Sequence, residues 1–154
     1  MKFTAAATAA SAILLSSQAT ALSMKRTIPS SYYSNQEITG SIYSWDTDSE
    51  CNQIFYTAGS CGLSTYFTST IPSSSGYNFV AMGSAVMSQF GSYQNNELCG
   101  KTIEITNSAG VTEQAVIADT ASADIIDMCL GLWEDFGGVD GDGTQMTGME
   151  WRLV

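Results

Sequence analysis

Any proton transfer in this chain falls to carboxylates. The 154 residues include 15 Asp and Glu, 5 Lys and Arg, and no histidine, which excludes Ser-His-Asp and Cys-His chemistry. Asp127 stands out because Ile125, Ile126 and Met128 flank it. Partial burial beside apolar groups raises a carboxylate's pKa, the condition a general acid needs. A helical reading of the same stretch gives Asp127 another duty. With Asp124 as N-cap it becomes the third residue of a helix, where a carboxylate offsets the helix dipole. Asp119 closes a β-like run over 111–118 and is placed to accept backbone hydrogen bonds at the turn that follows. Tyr43, Trp45, Tyr66 and Tyr77 are candidate platforms for sugar rings, with core packing as the commoner fate of aromatics in a β protein.

The elements that would position these groups are mostly short strands. Residues 38–43, 78–82, 101–106, 111–118 and 148–154 read as β segments punctuated by Gly, Ser and Asn. In 101–106 the alternation puts Ile103 and Ile105 on one face. Two stretches predict helix: 83–90, and 124–136 with Ile125, Cys129, Leu132 and Phe136 on one stripe, closed by Gly137 and Gly138. The spacing predicts a mainly β barrel or sandwich with one or two short helices. Residues 68–76 form a Ser/Thr-rich loop. The run Val139-Asp-Gly-Asp-Gly143 opens like a calcium loop but lacks the glycine at position six and the glutamate at twelve, so a hairpin loop is expected there.

The first 21 residues have the build of an export signal. Lys2 precedes an apolar and small-residue run through Leu15, and Ala19-Thr-Ala21 offers a cleavage site. The strongly apolar part is far shorter than the roughly 20 residues a membrane span needs. Residues 22–37 read as a flexible leader, with Lys25-Arg26 either a dibasic processing site or a charged tail, and the domain is expected over 38–154. Cys51, Cys61, Cys99 and Cys129 then predict two disulfides in an exported domain, with three connectivities open. No pair has zinc-site spacing and there is no histidine to complete one, so neither metal nor cofactor is expected. Without the signal and the Lys25-Arg26 pair, only Lys101 and Arg152 oppose the 15 carboxylates. Such a surface repels phosphate, making nucleic acid and anionic membranes poor partners. Neutral polysaccharide or an extracellular protein fits better, and a secreted monomer is expected.

Several pieces, in shared order, resemble the rare lipoprotein A, barwin and expansin group. Gly40-Ser-Ile-Tyr43 is similar to its first strand, Ser60-Cys61-Gly62 to its Ala-Cys-Gly, and Asn78-Phe-Val-Ala81 to its Val-Ala strand. Cys99-Gly100-Lys101 with Ile103 resembles Cys-Gly-Lys-x-Ile, and Val116-Ile-Ala-Asp119 resembles Val-x-Asp. Ile126-Asp127-Met128 with Trp133, and Met149-Glu-Trp151, complete the series. The resemblance implies a six-stranded double-psi β-barrel, as in many small fungal secreted proteins. It aligns Asp127 with the acid of the His-Phe-Asp motif, which protonates the glycosidic oxygen in related hydrolases, and places Asp119 beside the same groove. Tyr43-Ser-Trp-Asp46 is similar, one residue out of step, to the Tyr-Trp-Asp of family-45 endoglucanases, where the aspartate is the base. Inversion by Asp46 and Asp127 would need roughly 6.5–9.5 Å between them. The resemblance also implies the bridge Cys61–Cys99, leaving Cys51–Cys129. Departures are clear: Ile125 replaces the motif's histidine, the cysteines after Val-x-Asp are missing, and the second domain of true expansins is not expected here. The expectation is a non-hydrolytic binder of glucan, cellulose or chitin. The alternatives are a protein-binding inhibitor or effector, and a weak carboxylate-based glycosidase.

Overall fold

The computed structural model describes residues 27–44, 46–143 and 145–154. The export signal, the Lys25-Arg26 pair and Trp45 therefore lie outside the described residues.

Six strands, β1 (Gln36–Ser44), β2 (Phe79–Gly83), β3 (Thr102–Thr106), β4 (Thr112–Ala121), β5 (Ile125–Cys129) and β6 (Met146–Leu153), close into one barrel in the order β1-β5-β2-β4-β3-β6. β1 runs parallel to β5 and β2 parallel to β4, while the other four contacts are antiparallel. Successive side chains on a strand face opposite ways, so alternate residues fill the interior: Ile103 and Ile105 on β3, Ile126 and Met128 on β5, Met149, Trp151 and Leu153 on β6. Closure also removes the exposed edges that an open sheet would present.

β1 and β2 are not neighbours, since β5 lies between them, and the long connection that joins them carries helices α1 (Asp48–Ala58) and α2 (Leu63–Tyr66). Asn52, buried on α1, accepts the Phe79 N–H at the start of β2 at 2.9 Å. Cys51–Cys129 ties α1 to the end of β5, and Cys61–Cys99 ties the segment before α2 to the segment before β3. In both Cys-Gly pieces the glycine is left-handed, Gly62 at φ +63° and Gly100 at φ +71°, a region that other L-residues enter at a cost. Short α3 (Ser84–Met87) follows β2, and α4 (Leu130–Asp135) follows β5.

Three expectations change. The 124–136 helix is instead strand β5 followed by α4, whose N-cap is Cys129. Asp124 therefore caps no helix, and Asp127 is no helix-start residue. Ile126 and Met128 enter the barrel, and that alternation overrides the stripe through Ile125 and Cys129. The barrel's packing also begins before residue 38. Ser30–Tyr33 form a 3-10 turn, and the Tyr32 ring sits 5.1 Å from Phe90 and 5.7 Å from Trp151. Finally, the Val139–Gly143 loop joins α4 to β6 and is no hairpin between strands.

Candidate functional site

Register across four strands assembles the site. Asp127 on β5 pairs with Ser41 on β1 and, on its other side, with Ala81 on β2. Ala81 in turn pairs with Asp119 on β4. Directly paired residues project to the same side of a sheet; β4 bulges between Ile117 and Asp119, and the charge of Asp119 acts on Asp127, so Ser41, Asp127, Ala81 and Asp119 form one row around the barrel. Ile126 and Met128, the chain neighbours of Asp127, are fully buried on the interior side. Ala81 puts only a methyl between the two carboxylates. With strands about 4.8 Å apart, the backbones that carry them are separated by roughly 10 Å.

The two acids live in different surroundings. Asp127 is half-buried, and its carboxyl is held above the ordinary aspartate value chiefly by loss of solvent. A hydrogen bond with Ser41 opposes that rise, and the negative charge of Asp119 adds to it. Asp119 is anchored by the backbone: its Oδ1 accepts the N–H groups of Ser60 at 2.9 Å and Thr120 at 2.7 Å. The hydroxyls of Ser60 and Thr120 lie 3.2 Å apart beside it. Chemically, the row offers a carboxyl whose protonated form is favoured by burial, a fixed acceptor, and a rim of hydroxyls.

Asp46 stands apart from the row. Its Oδ2 accepts the Ser44 hydroxyl at 2.6 Å, and it shares a shallow concavity with Glu50, Gln53 and Ile54. The charge that acts on Asp127 is that of Asp119, so the two carboxylates the fold brings together are Asp119 and Asp127. The aromatic candidates are dispersed. Tyr43 lies at the β1 bulge, 41% exposed, its ring 4.4 Å from Phe55 of α1. Tyr66 is 61% exposed at the end of α2, a short distance in the chain beyond Ser60. Tyr77 stacks on Phe79 at 5.7 Å and lines a separate concavity of about 410 Å³ with Asp48, Asn78, Thr102 and Gln114.

Ser41, Ser60 and Ala81 were not foreseen as site residues. Ser41 lies inside the Gly40–Tyr43 piece, but its bond to Asp127 depends on the β1–β5 register, which no local pattern encodes. Among the described residues no group of His, Cys, Asp and Glu is arranged to hold a metal ion.

No protein-family model and no curated protein sequence matches the chain. Solved structures do. Cerato-platanin 3 from M. perniciosa superposes with a TM-score of 0.56 at 17% identity, over 77% of this chain and 94% of that one. An expansin from Clavibacter michiganensis, solved with cellohexaose, gives 0.53 at 15% identity, over 78% of this chain and 50% of that one. The fold is an expansin-like double-psi β-barrel. A papain inhibitor from Streptomyces shares that barrel, with a TM-score of 0.50 at 19% identity over 78% of this chain and 94% of the inhibitor. The chain thus spans about half of the expansin's length and nearly all of the cerato-platanin's and the inhibitor's. Identities this low carry the double-psi barrel over to this chain and leave its ligand to be argued from its own residues.

Proposed function

We propose that this chain is a secreted single-domain barrel that binds neutral cell-wall polysaccharide along the Ser41–Asp127–Ala81–Asp119 row without cleaving it. The observation that carries this reading is the row itself. Ala81 is buried between the two acids, and the carboxyl of Asp127 can donate to a sugar hydroxyl while protonated. Asp119 and the Ser60 and Thr120 hydroxyls supply acceptors and donors on the other side. Excess negative charge disfavours phosphate-bearing ligands and leaves uncharged glycans unaffected. The cellohexaose complex of an expansin with the same barrel lends support. Two disulfides and the leader's composition agree with an oxidising, extracellular destination.

Hydrolysis is not proposed because neither partner carboxylate is poised as a base. Asp119 is tied on one oxygen by two backbone N–H groups, and Asp46 is tied to Ser44 outside the row. Pull-down on insoluble glucan, cellulose and chitin tests the reading. Retention on one of them, lost in Asp127→Asn and unaccompanied by reducing-sugar release, is the expected result. Failure to bind all three removes the reading, and sugar release by the wild type would restore the glycosidase alternative. A second reading, binding of a protein target, is favoured by the 94% coverage of the papain inhibitor, itself a barrel of this size. Inhibition of papain measured beside the pull-down separates the two.

A further inference from the structure

Beyond Asp119 the molecule carries a second feature that packing does not explain. Tyr93 begins a short 3-10 turn, Tyr93–Asn95, with φ +50°, the one non-glycine left-handed residue among those described. That conformation costs energy for any residue with a Cβ. The ring recovers none of it in the core, since Tyr93 is 70% exposed. Strain at an exposed aromatic is an outlier from which a function is properly inferred.

The turn is held rigidly. Buried Asn96 donates to the carbonyls of Met87 at 2.7 Å and Gly91 at 3.1 Å and accepts the Leu98 N–H at 2.9 Å. Cys99 then closes on Cys61. Next to Tyr93 opens a concavity of about 440 Å³ whose lining includes Phe67, Gln94, Asn95, Glu97 and Lys101. Primary amides offer donors and acceptors together, and Lys101 adds donors. Around an apolar wall and a neighbouring exposed ring, that set suits an uncharged, hydroxyl-rich ligand.

Backbone hydrogen bonds bring the segment that lines the concavity close to the strand that carries Asp119. The Gly100 N–H donates to Ile117 at 2.9 Å, Ile117 donates to Lys101 at 3.0 Å, and the Cys61 N–H donates to Ala118 at 3.2 Å. Ile117 lies two residues before Asp119 on β4, roughly 7 Å along the strand. The buried Cys61–Cys99 bridge ties the two segments together. We propose that the glycan site extends past Asp119 and across this bridge into a second sugar subsite, where Tyr93 stacks on a ring and Gln94, Asn95 and Lys101 bond its hydroxyls. The proposal rests on the polysaccharide reading and adds its direction and length.

The test is a titration of the mature secreted protein with cellohexaose, laminarihexaose and chitohexaose and with their disaccharides. An extended site binds the hexaose tighter than the disaccharide. Tyr93→Ala is expected to lose about tenfold in hexaose affinity while disaccharide binding at the row stays unchanged. Tyr93→Gly is the control: it relieves the strained φ and is expected to raise the melting temperature while losing the same affinity. Hexaose binding that survives both Tyr93 variants yet is lost in Asp127→Asn would overturn the subsite and keep the polysaccharide reading. If the wild type binds none of the hexaoses, both fall.

Discussion

The two ends of the row make a natural comparison. At one end Asp127 is half-buried and shares its charge with a single hydroxyl, two residues before a cysteine that anchors α1. At the other, Asp119 is clasped by two backbone N–H groups, one from Ser60, next to the other disulfide. The residue type and the level in the barrel are the same. The donors differ, and with them the duty. Backbone donors fix Asp119 in place, while burial without comparable donors holds the Asp127 carboxyl above the ordinary aspartate value.

The bridges test that contrast most severely. The loops they close differ by a sequence separation of 78 for Cys51–Cys129 against 38 for Cys61–Cys99. Replacing either pair by serine is expected to cost about 4 kcal/mol by chain entropy, with the longer loop costing about 0.6 kcal/mol more. Thermal melts of the two double variants measure this. Loss of Cys61–Cys99 is also expected to loosen Ser60 and so weaken glycan retention more than loss of Cys51–Cys129. Equal retention in both would erase the distinction between the ends.

Asp119→Ala ranks next. It leaves the Ser60 and Thr120 N–H groups without their acceptor, at about 2 kcal/mol. Asp119→Asn retains an oxygen at the same place and is expected to lose roughly half as much, read by denaturant melts. The Asp127 end responds to pH instead. Its folded pKa is raised above 3.8, so between the unfolded and folded values the native state holds the extra proton. Stability from this group is thus lost as pH rises through that window. Asp127→Asn lacks that loss. The variant is expected to equal or exceed wild-type stability at pH 7 and to surrender its advantage as pH falls below the window, a crossing visible in melting temperature against pH. A constant difference at every pH would show that burial does not govern Asp127.

Ser41→Ala is the mildest change. Removing the bond that lowers the Asp127 pKa should move that pKa further upward, at a cost of about 1 kcal/mol. Carboxyl titration by NMR follows it directly.

Much of the barrel was legible because strands with a buried face alternate. Ile103 and Ile105, or Met149 and Trp151, announce themselves without knowledge of their partners. The stretch 125–129 was ambiguous for a physical reason: Ile126 and Met128 satisfy a period of two, while Ile125 and Cys129 satisfy a helical spacing onward to Leu132. Helix α1 went unseen although Thr47 and Glu50 carried its signature. Thr47 Oγ1 accepts the Glu50 N–H and donates to the Glu50 carboxylate at 2.6 Å, the spacing of a helix-start cap. Asp127 and Asp119 could be singled out individually from their neighbours. That they stand either side of Ala81, with Ser41 completing the row, is a matter of register between strands far apart in sequence.

The two parallel pairings carry one more consequence, and it concerns time. Every member of the row is delivered by a different strand, and none of the pairings among them is local. Loop closure must precede any such contact, so a topology of this kind folds slowly compared with helical domains of similar size. The row therefore does not exist in any partly folded chain or excised hairpin. On the proposed polysaccharide reading, glycan capture would be a late event in maturation, and ligand binding during refolding would serve as a clock for barrel closure, lagging behind the first appearance of α1 and its neighbours.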